Sequence, residues 1–458
     1  MDCSVIAPFL FIIYIADMTK EFPRWLNKWI SCCKFADDGT FVVAHHNRYK
    51  CYRLMQRLCS ELNNWCKRNK LIINCDVNKT EAIILKSQNK IYQDHPPDLY
   101  IGKKTIQYVK STKVLGLILD DQLKFINHAQ SKLAECNKKW SLLTKATNRN
   151  FGLNVRSMLL LFNTTVLSKL LYAAPIWLKR NLHHFDGFWN SAIMKITGAT
   201  LNPNRNICEL VLHLPSLEVQ LEVITAKFLC KLLCTQDEMK SILIQADGSL
   251  TNEFNYQLKT IKKYVLWKSK NQHKRIRNVE LINVCNRSNL MYTHIEMKTY
   301  QQHVWLDRMK NSVKVSKSVS NDIVKDTIKY IEAKNIILDN KNSIFNHSTT
   351  KKEDSYLLDY IHGNSILFGN CQSKISEEEG EECCFCNAES DSAKHQLLHC
   401  TETTDVTLLN LISQIDWPAN IVKSVVVPTR LNKQTCFIER VKHLISLHDN
   451  LCTLQDNY

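Results

Sequence analysis

Trp29-Ile30-Ser31-Cys32-Cys33-Lys34-Phe35-Ala36-Asp37-Asp38-Gly39-Thr40-Phe41-Val42-Val43-Ala44 is the stretch on which the reading of this chain turns. Two apolar-rich runs, Trp29 to Ala36 and Thr40 to Ala44, flank Asp37-Asp38-Gly39 and read as short strands. Asp-Gly between such runs is a strong short-range hairpin signal. Two adjacent carboxylates at a hairpin tip repel each other, so the tip is stable when it is solvated or when cations sit on it. Neighbouring strand residues point to opposite faces, and both carboxylates serve one metal pair only if the turn lets them converge. An ordinary solvated Asp-Asp-Gly turn has the same local sequence.

Outward from the hairpin, the sequence changes character. A helix is predicted after it, with Leu54, Leu58, Leu62 and Trp65 at three- and four-residue spacing. Ile72-Ile73, Ala82 to Leu85 and Val114 to Leu119 read as further strands, so residues 1–125 are α+β. From 126 to 250 the pattern is helical, with Ala129, Leu133, Cys136, Trp140 and Leu143 on one face. Residues 251–354 form a basic helical region; between 259 and 317 fourteen cationic residues stand against three acids. Residues 355–458 form a last region, in which an acidic run, Glu377 to Glu382, leads into a cluster of Cys and His.

The composition bounds the function. The chain has 458 residues, enough for roughly two to four domains. With 45% hydrophobic and 23% charged residues it is not disordered throughout, and 10 Gly with 9 Pro argue against a turn-rich β sandwich. A net charge of +16 points to an anionic partner, nucleic acid first. The 19 Cys lack the dense spacing of a secreted disulfide scaffold, and most read as reduced, buried, intracellular thiols. The apolar run Val5 to Ala16 carries Asp2 ahead of it and Pro8 within it, which does not suit a signal peptide, and it is too short to span a bilayer. Met158 to Trp177 is long enough, but Asn163, Thr164, Thr165, Ser168 and Lys169 make it a buried helix instead. No membrane association is expected. There is no Gly-rich phosphate loop to support ATP- or dinucleotide-driven chemistry.

Four segments in series carry a family likeness: Ser4-Val5-Ile6-Ala7-Pro8-Phe9-Leu10-Phe11, then Phe35-Ala36-Asp37-Asp38, then Lys79-Thr80, then Val114-Leu115-Gly116-Leu117-Ile118-Leu119-Asp120. In that order and spacing the chain resembles the reverse transcriptase of non-LTR retrotransposons, particularly jockey-like elements. The resemblance covers residues 3 to 200 well and the rest more loosely. It implies a partial right-hand polymerase palm over 1–125, a helical thumb and connection over 126–250, and a small C-terminal zinc-knuckle-like segment. The implied chemistry is two-metal nucleotidyl transfer with Mg²⁺, an RNA template and a DNA primer or target. Within it Asp37 matches the central metal-binding carboxylate and Asp38 the second one. Ser4, Pro8 and Phe11 match the segment beside the incoming nucleotide, Lys79 a cation near the leaving pyrophosphate, and Leu115-Gly116 the primer-gripping turn. The family's third carboxylate and its fingers precede the Ser-Val-Ile-Ala-Pro segment, where this sequence holds only Met1, Asp2 and Cys3. The expectation is therefore an N-terminally truncated polymerase, inactive alone.

Two further patterns bear on partners. Cys383-x2-Cys386-x8-His395-x4-Cys400 offers two close ligand pairs across a short loop, which suits tetrahedral Zn²⁺. A similar knuckle closes many of these retrotransposon proteins. Lys262, Lys263, Trp267, Lys268, Lys270, Lys274, Arg275 and Arg277 interleave cations with an aromatic, a pattern suited to phosphates and unpaired bases. The competing reading is a non-catalytic, zinc-containing nucleic-acid-binding protein derived from such an element. Oligomeric state and the choice between nucleus and cytoplasm are not legible.

Overall fold

The computed structural model describes residues 6–76, 79–86, 96–145, 152–198, 204–235, 252–269, 290–315 and 319–333. It also describes Ile336, Leu338, Phe385, Cys386, His395, Gln396, Cys400 and residues 438, 439 and 441–446. The protein mixes helix and sheet and is mostly helical. It divides into two compact units, Met1–His128 and Ala129–Tyr458.

The first unit is built around one amphipathic helix. Helix α1 (Ala7–Tyr14) opens on Pro8, and α2 (Arg24–Asn27) leads into β1 (Ile30–Phe35) and β2 (Asp38–Val43). Helix α3 (Arg48–Arg68) starts where the Asn47 side chain accepts a hydrogen bond from the Lys50 amide, which satisfies one of the first-turn donors. One face of α3 buries Leu58, Trp65 and Cys66 with Met18 and Phe22. Ile30, Cys32, Phe41 and Val43, the inward set of the hairpin, pack on it. Its neighbouring face carries Cys59 onto Leu99, Ile101 and Ile106 of a second sheet. That sheet has the order β3 (Glu81–Ile83), β5 (Lys104–Val109), β4 (Leu99–Ile101), with β3 parallel and β4 antiparallel to β5. The Gln56 amide on α3 pairs with both backbone groups of Tyr100 at 2.9 Å and so fixes α3 against β4.

Three sequence expectations need correction here. Ile72-Ile73 is not a strand: Ile73 packs into the core while Ile72 is 96% exposed, so the segment follows α3 as an irregular connector. Val114 to Leu119 is not one strand but the hairpin β6 (Ser111–Val114) and β7 (Leu117–Asp120). Val114 pairs with Leu117, and Leu115 and Gly116 both have positive φ, 46° and 84°, as a two-residue type I′ connection requires. The first hairpin also turns two residues earlier than Asp-Gly suggests. Phe35 pairs with Asp38, which leaves Ala36 and Asp37 as the turn.

The second unit is helical. Helix α4 (Ile126–Lys145) buries Ala129, Cys136 and Trp140 on the face its spacing predicts. Met158 to Trp177 is buried along most of its apolar side but is not one helix. It runs as α5 (Val155–Leu161), a π-helical turn (Phe162–Leu167) and α6 (Ser168–Leu170), then breaks before α7 (Ala174–Asn181). Thr164, Thr165 and Ser168 hydrogen-bond backward to carbonyls of the preceding turn, which competes with the regular ladder. Pro175 lacks the amide that would continue the helix, and Ala173 ahead of it takes φ 51°. The unit continues through α8 (Asp186–Thr197), α9 (Arg205–Leu212), α10 (Leu217–Thr235), α11 (Asn252–Lys268), α12 (His294–Val315) and α13 (Val319–Ala333). A capping box starts α12: the Glu296 amide donates to Thr293 Oγ1 at 3.1 Å and the Thr293 amide donates to Glu296 Oε2 at 2.7 Å. Among the described residues no single helix is long and apolar enough to cross a membrane.

Candidate functional site

The carboxylate tip stands clear of the core. Asp37 lies in the turn and Asp38 begins β2, and both are exposed. Ala36 holds φ 51°, a left-handed conformation that costs a non-glycine residue about 1–2 kcal/mol. The hairpin is tied to the segment carrying Pro8 and Phe11, because Lys34 Nζ donates to the Ile15 carbonyl at 2.8 Å. Pro8 is exposed and Phe11 half-buried. Lys79 is exposed, with its amide bonded to the Asp76 carbonyl at 3.0 Å. Ser4 lies outside the described residues. Among the described residues, one group of three or more His, Cys, Asp or Glu side chains converges closely enough to hold a metal ion, and it does not include Asp37 or Asp38.

The loop leading from β7 into α4 is braced by a carboxylate to which the sequence assigned no role. Asp120, at the end of β7, accepts backbone hydrogen bonds from Gln122 at 3.1 Å, Lys124 at 2.9 Å and Phe125 at 2.5 Å. These bonds hold a loop in which Leu123 and Phe125 both take positive φ. The side chain therefore fixes the entry into α4 rather than facing a ligand.

The converging group is Cys386, His395 and Cys400, whose donor atoms all lie within 4.8 Å of one another. Cys386 Sγ is 3.1 Å from His395 Nε2, and the Cys400 amide donates to the His395 carbonyl at 2.8 Å. Cys400 is fully buried and the other two are half-buried. Two sulfurs and an imidazole are the donor set that zinc prefers. These three residues fit the metal; Cys383, the fourth ligand of the spacing pattern, lies outside the described residues. Bound zinc would supply structural cross-linking of a short loop, since thiolate and imidazole ligands gathered on one ion remove chain entropy. Three buried cysteines elsewhere are chemically quiet. Burial pushes the Cys59 and Cys136 thiols up to about 11 and Cys208 up to about 12, so they stay protonated.

The basic tract is partly consumed inside the helical unit. Glu222, 4% exposed on α10, accepts from Lys263 Nζ at 2.8 Å, from Arg308 at 3.0 Å and from the Tyr300 hydroxyl at 3.3 Å. One turn earlier Glu218 pairs with Lys179 at 2.7 Å and with Arg308. Burial works against the Glu218 charge, but Lys179 and Arg308 outweigh it and hold the carboxyl below its ordinary range. The network joins α7, α10, α11 and α12. Lys268 pairs with Glu296 at 3.4 Å, and Trp267 packs against Tyr264, Tyr300 and His303. Lys262 is half-buried. Lys263, Trp267 and Lys268 thus have partners within the fold, while Lys270, Lys274, Arg275 and Arg277 lie outside the described residues. The sequence signal for this network was two acids four apart, Glu218 and Glu222, set among Leu217, Val219, Leu221 and Val223.

No protein-family model matches the chain, and no solved structure matches it. Among curated proteins it is 23% identical over 145 residues to the retrovirus-related Pol polyprotein from type-1 retrotransposable element R1 of Bradysia coprophila. It is 20% identical over 175 residues to a putative 115 kDa protein in type-1 retrotransposable element R1DM of Drosophila melanogaster. These stretches are 32% and 38% of this chain but 14% and 16% of the two proteins, so the chain spans a small part of either. The similarity supports a retrotransposon-derived protein.

Proposed function

We propose that this chain is a reverse-transcriptase-derived segment of a non-LTR, jockey-like retrotransposon protein. In this reading it binds RNA and single-stranded DNA and does not polymerise unaided. The observation that supports it is the Phe35-Ala36-Asp37-Asp38 hairpin, a tight two-stranded turn carrying adjacent exposed carboxylates, in a chain with sequence similarity to such elements. In a complete polymerase Asp37 and Asp38 would bind Mg²⁺ that steadies the nucleotide phosphates, with Pro8, Phe11 and the Leu115-Gly116 turn positioning nucleotide and primer and Lys79 beside the departing pyrophosphate. Two carboxylates without a third ligand among the described residues do not by themselves suit a two-metal site.

The second reading, a non-catalytic nucleic-acid-binding protein derived from such an element, is favoured by the Cys386, His395, Cys400 group, a cross-link that needs no polymerase chemistry. Both readings are tested by primer extension on an RNA template with Mg²⁺, using the whole purified chain and its Asp37→Asn variant. The expected result is no extension by either, together with RNA binding that weakens steeply as salt rises. Extension that is lost in Asp37→Asn would overturn the claim that the chain is inactive alone. Absence of RNA and single-stranded DNA binding at low salt would overturn both readings.

A further inference from the structure

We propose that a cavity in the helical unit accepts a single nucleobase from an unpaired strand; this rests on the nucleic-acid-binding function proposed above. The cavity measures about 310 Å³ and lies where the π-helical turn, the α9–α10 connection and α12 meet. That volume is at the lower end of small-ligand sites, which begin near 300 Å³, so it holds one heterocycle and not a chain. Its walls combine apolar surface from Leu214 and Trp305 with the amides of Asn163, Gln220 and Gln301 and the cation of Lys298.

The polar lining selects the chemistry. Asn163 sits within the π-helical turn, a distortion frequent at functional sites, and its side-chain oxygen is buried with no hydrogen-bond partner among the described residues. Gln220 spends its amide nitrogen on the Pro215 carbonyl at 2.7 Å, which leaves its oxygen for a ligand. The Gln301 side chain makes no hydrogen bond among the described residues. Gln302, by contrast, uses both ends of its amide on the backbone of Ile336 and Leu338, which fixes the wall behind them. Amide donors and acceptors arranged around a slot match the donor and acceptor edges of a base. Among the described residues no carboxylate or thiol lines the cavity and His213 is its one imidazole, which alone does not hold a metal ion; the Lys298 cation disfavours a cationic ligand and suits the phosphate that a nucleotide carries.

The test uses the full chain in two titrations: the four nucleoside 5′-monophosphates, and a short single-stranded RNA with and without one abasic position. The expected result is saturable binding of at least one monophosphate at one site per chain. It should weaken by about tenfold or more in Asn163→Leu and in Gln301→Leu, and the abasic strand should bind less tightly than the intact one. Asn163→Leu should melt no lower than the parent, because it removes an unpaired buried oxygen without reducing volume. If the RNA binds but no monophosphate does, or if both variants bind as the parent does, the cavity inference is overturned while the proposed function stands. If neither RNA nor monophosphates bind, both fall.

Discussion

Replacing Lys263 with Met separates a structural cation from a phosphate ligand. Lys263 Nζ lies 2.8 Å from Glu222, whose side chain is 5% exposed while that of Lys263 is 42% exposed. Stripping a buried charge of its whole partnership costs about 3–5 kcal/mol. Here Glu222 keeps Arg308 at 3.0 Å and Tyr300 at 3.3 Å, and solvent already screens the Lys263 side of the pair. The expected loss is therefore nearer about 1–2 kcal/mol, the scale of one charge-assisted hydrogen bond discounted for exposure. In hydrogen exchange on the full chain this is a rise of about five- to thirtyfold in local opening of α10 and α11, with the β1–β2 hairpin unchanged as internal reference. The same variant should leave the slope of log affinity for single-stranded RNA against log salt unaltered. A phosphate contact would instead lower that slope by about 0.7. A lowered slope with unchanged exchange would refute the structural assignment and return Lys263 to the nucleic-acid surface.

Three other outcomes follow from the same helical unit and from the Cys/His group. Glu218 has its folded pKa held below the ordinary value near 4.5, so its contribution to stability is present above that value and is lost as pH falls through the depressed folded pKa. Glu218→Gln should therefore flatten the acid-side fall in melting temperature, and an unchanged fall would count against the Lys179 and Arg308 pairing. Glu209 acts in the opposite direction: burial raises its pKa more than Arg205 lowers it, so its contribution is full below the ordinary value and fades as pH rises through the raised one. The chain purified with zinc should carry about one ion, and Cys386→Ser combined with Cys400→Ser should remove it, as read by metal analysis. Retention of zinc by that double variant would place the metal elsewhere.

Local spacing made much of the architecture readable. Leu58 and Trp65 lie one above the other on α3 because the helix repeat puts them there, and Ala129, Cys136 and Trp140 do the same on α4. The Asp37-Asp38 tip was readable as a hairpin because apolar runs flank it, and Cys386, His395 and Cys400 were readable as a candidate ligand group because of their short spacing; the structure brings their donor atoms together. The β4–β5 hairpin escaped the sequence reading, since three-residue β4 is too short to show an alternation of its own. Val114 to Leu119 misled for a related reason: an apolar run carries no mark of the positive φ at Leu115 that folds it in two.

What the sequence determined by itself was therefore whatever one turn or one strand can encode: helix faces, a hairpin, and a ligand pattern with its short spacings. The tertiary structure alone decided which charges are spent within the fold. Arg308 reaches Glu222 across 86 residues, Lys263 turns inward rather than outward, and Asn163 faces a cavity instead of ending in core. Spacing fixes the direction of a side chain only within its own element. The partner it meets depends on how separate helices pack, and that packing is set by the summed burial of many apolar faces.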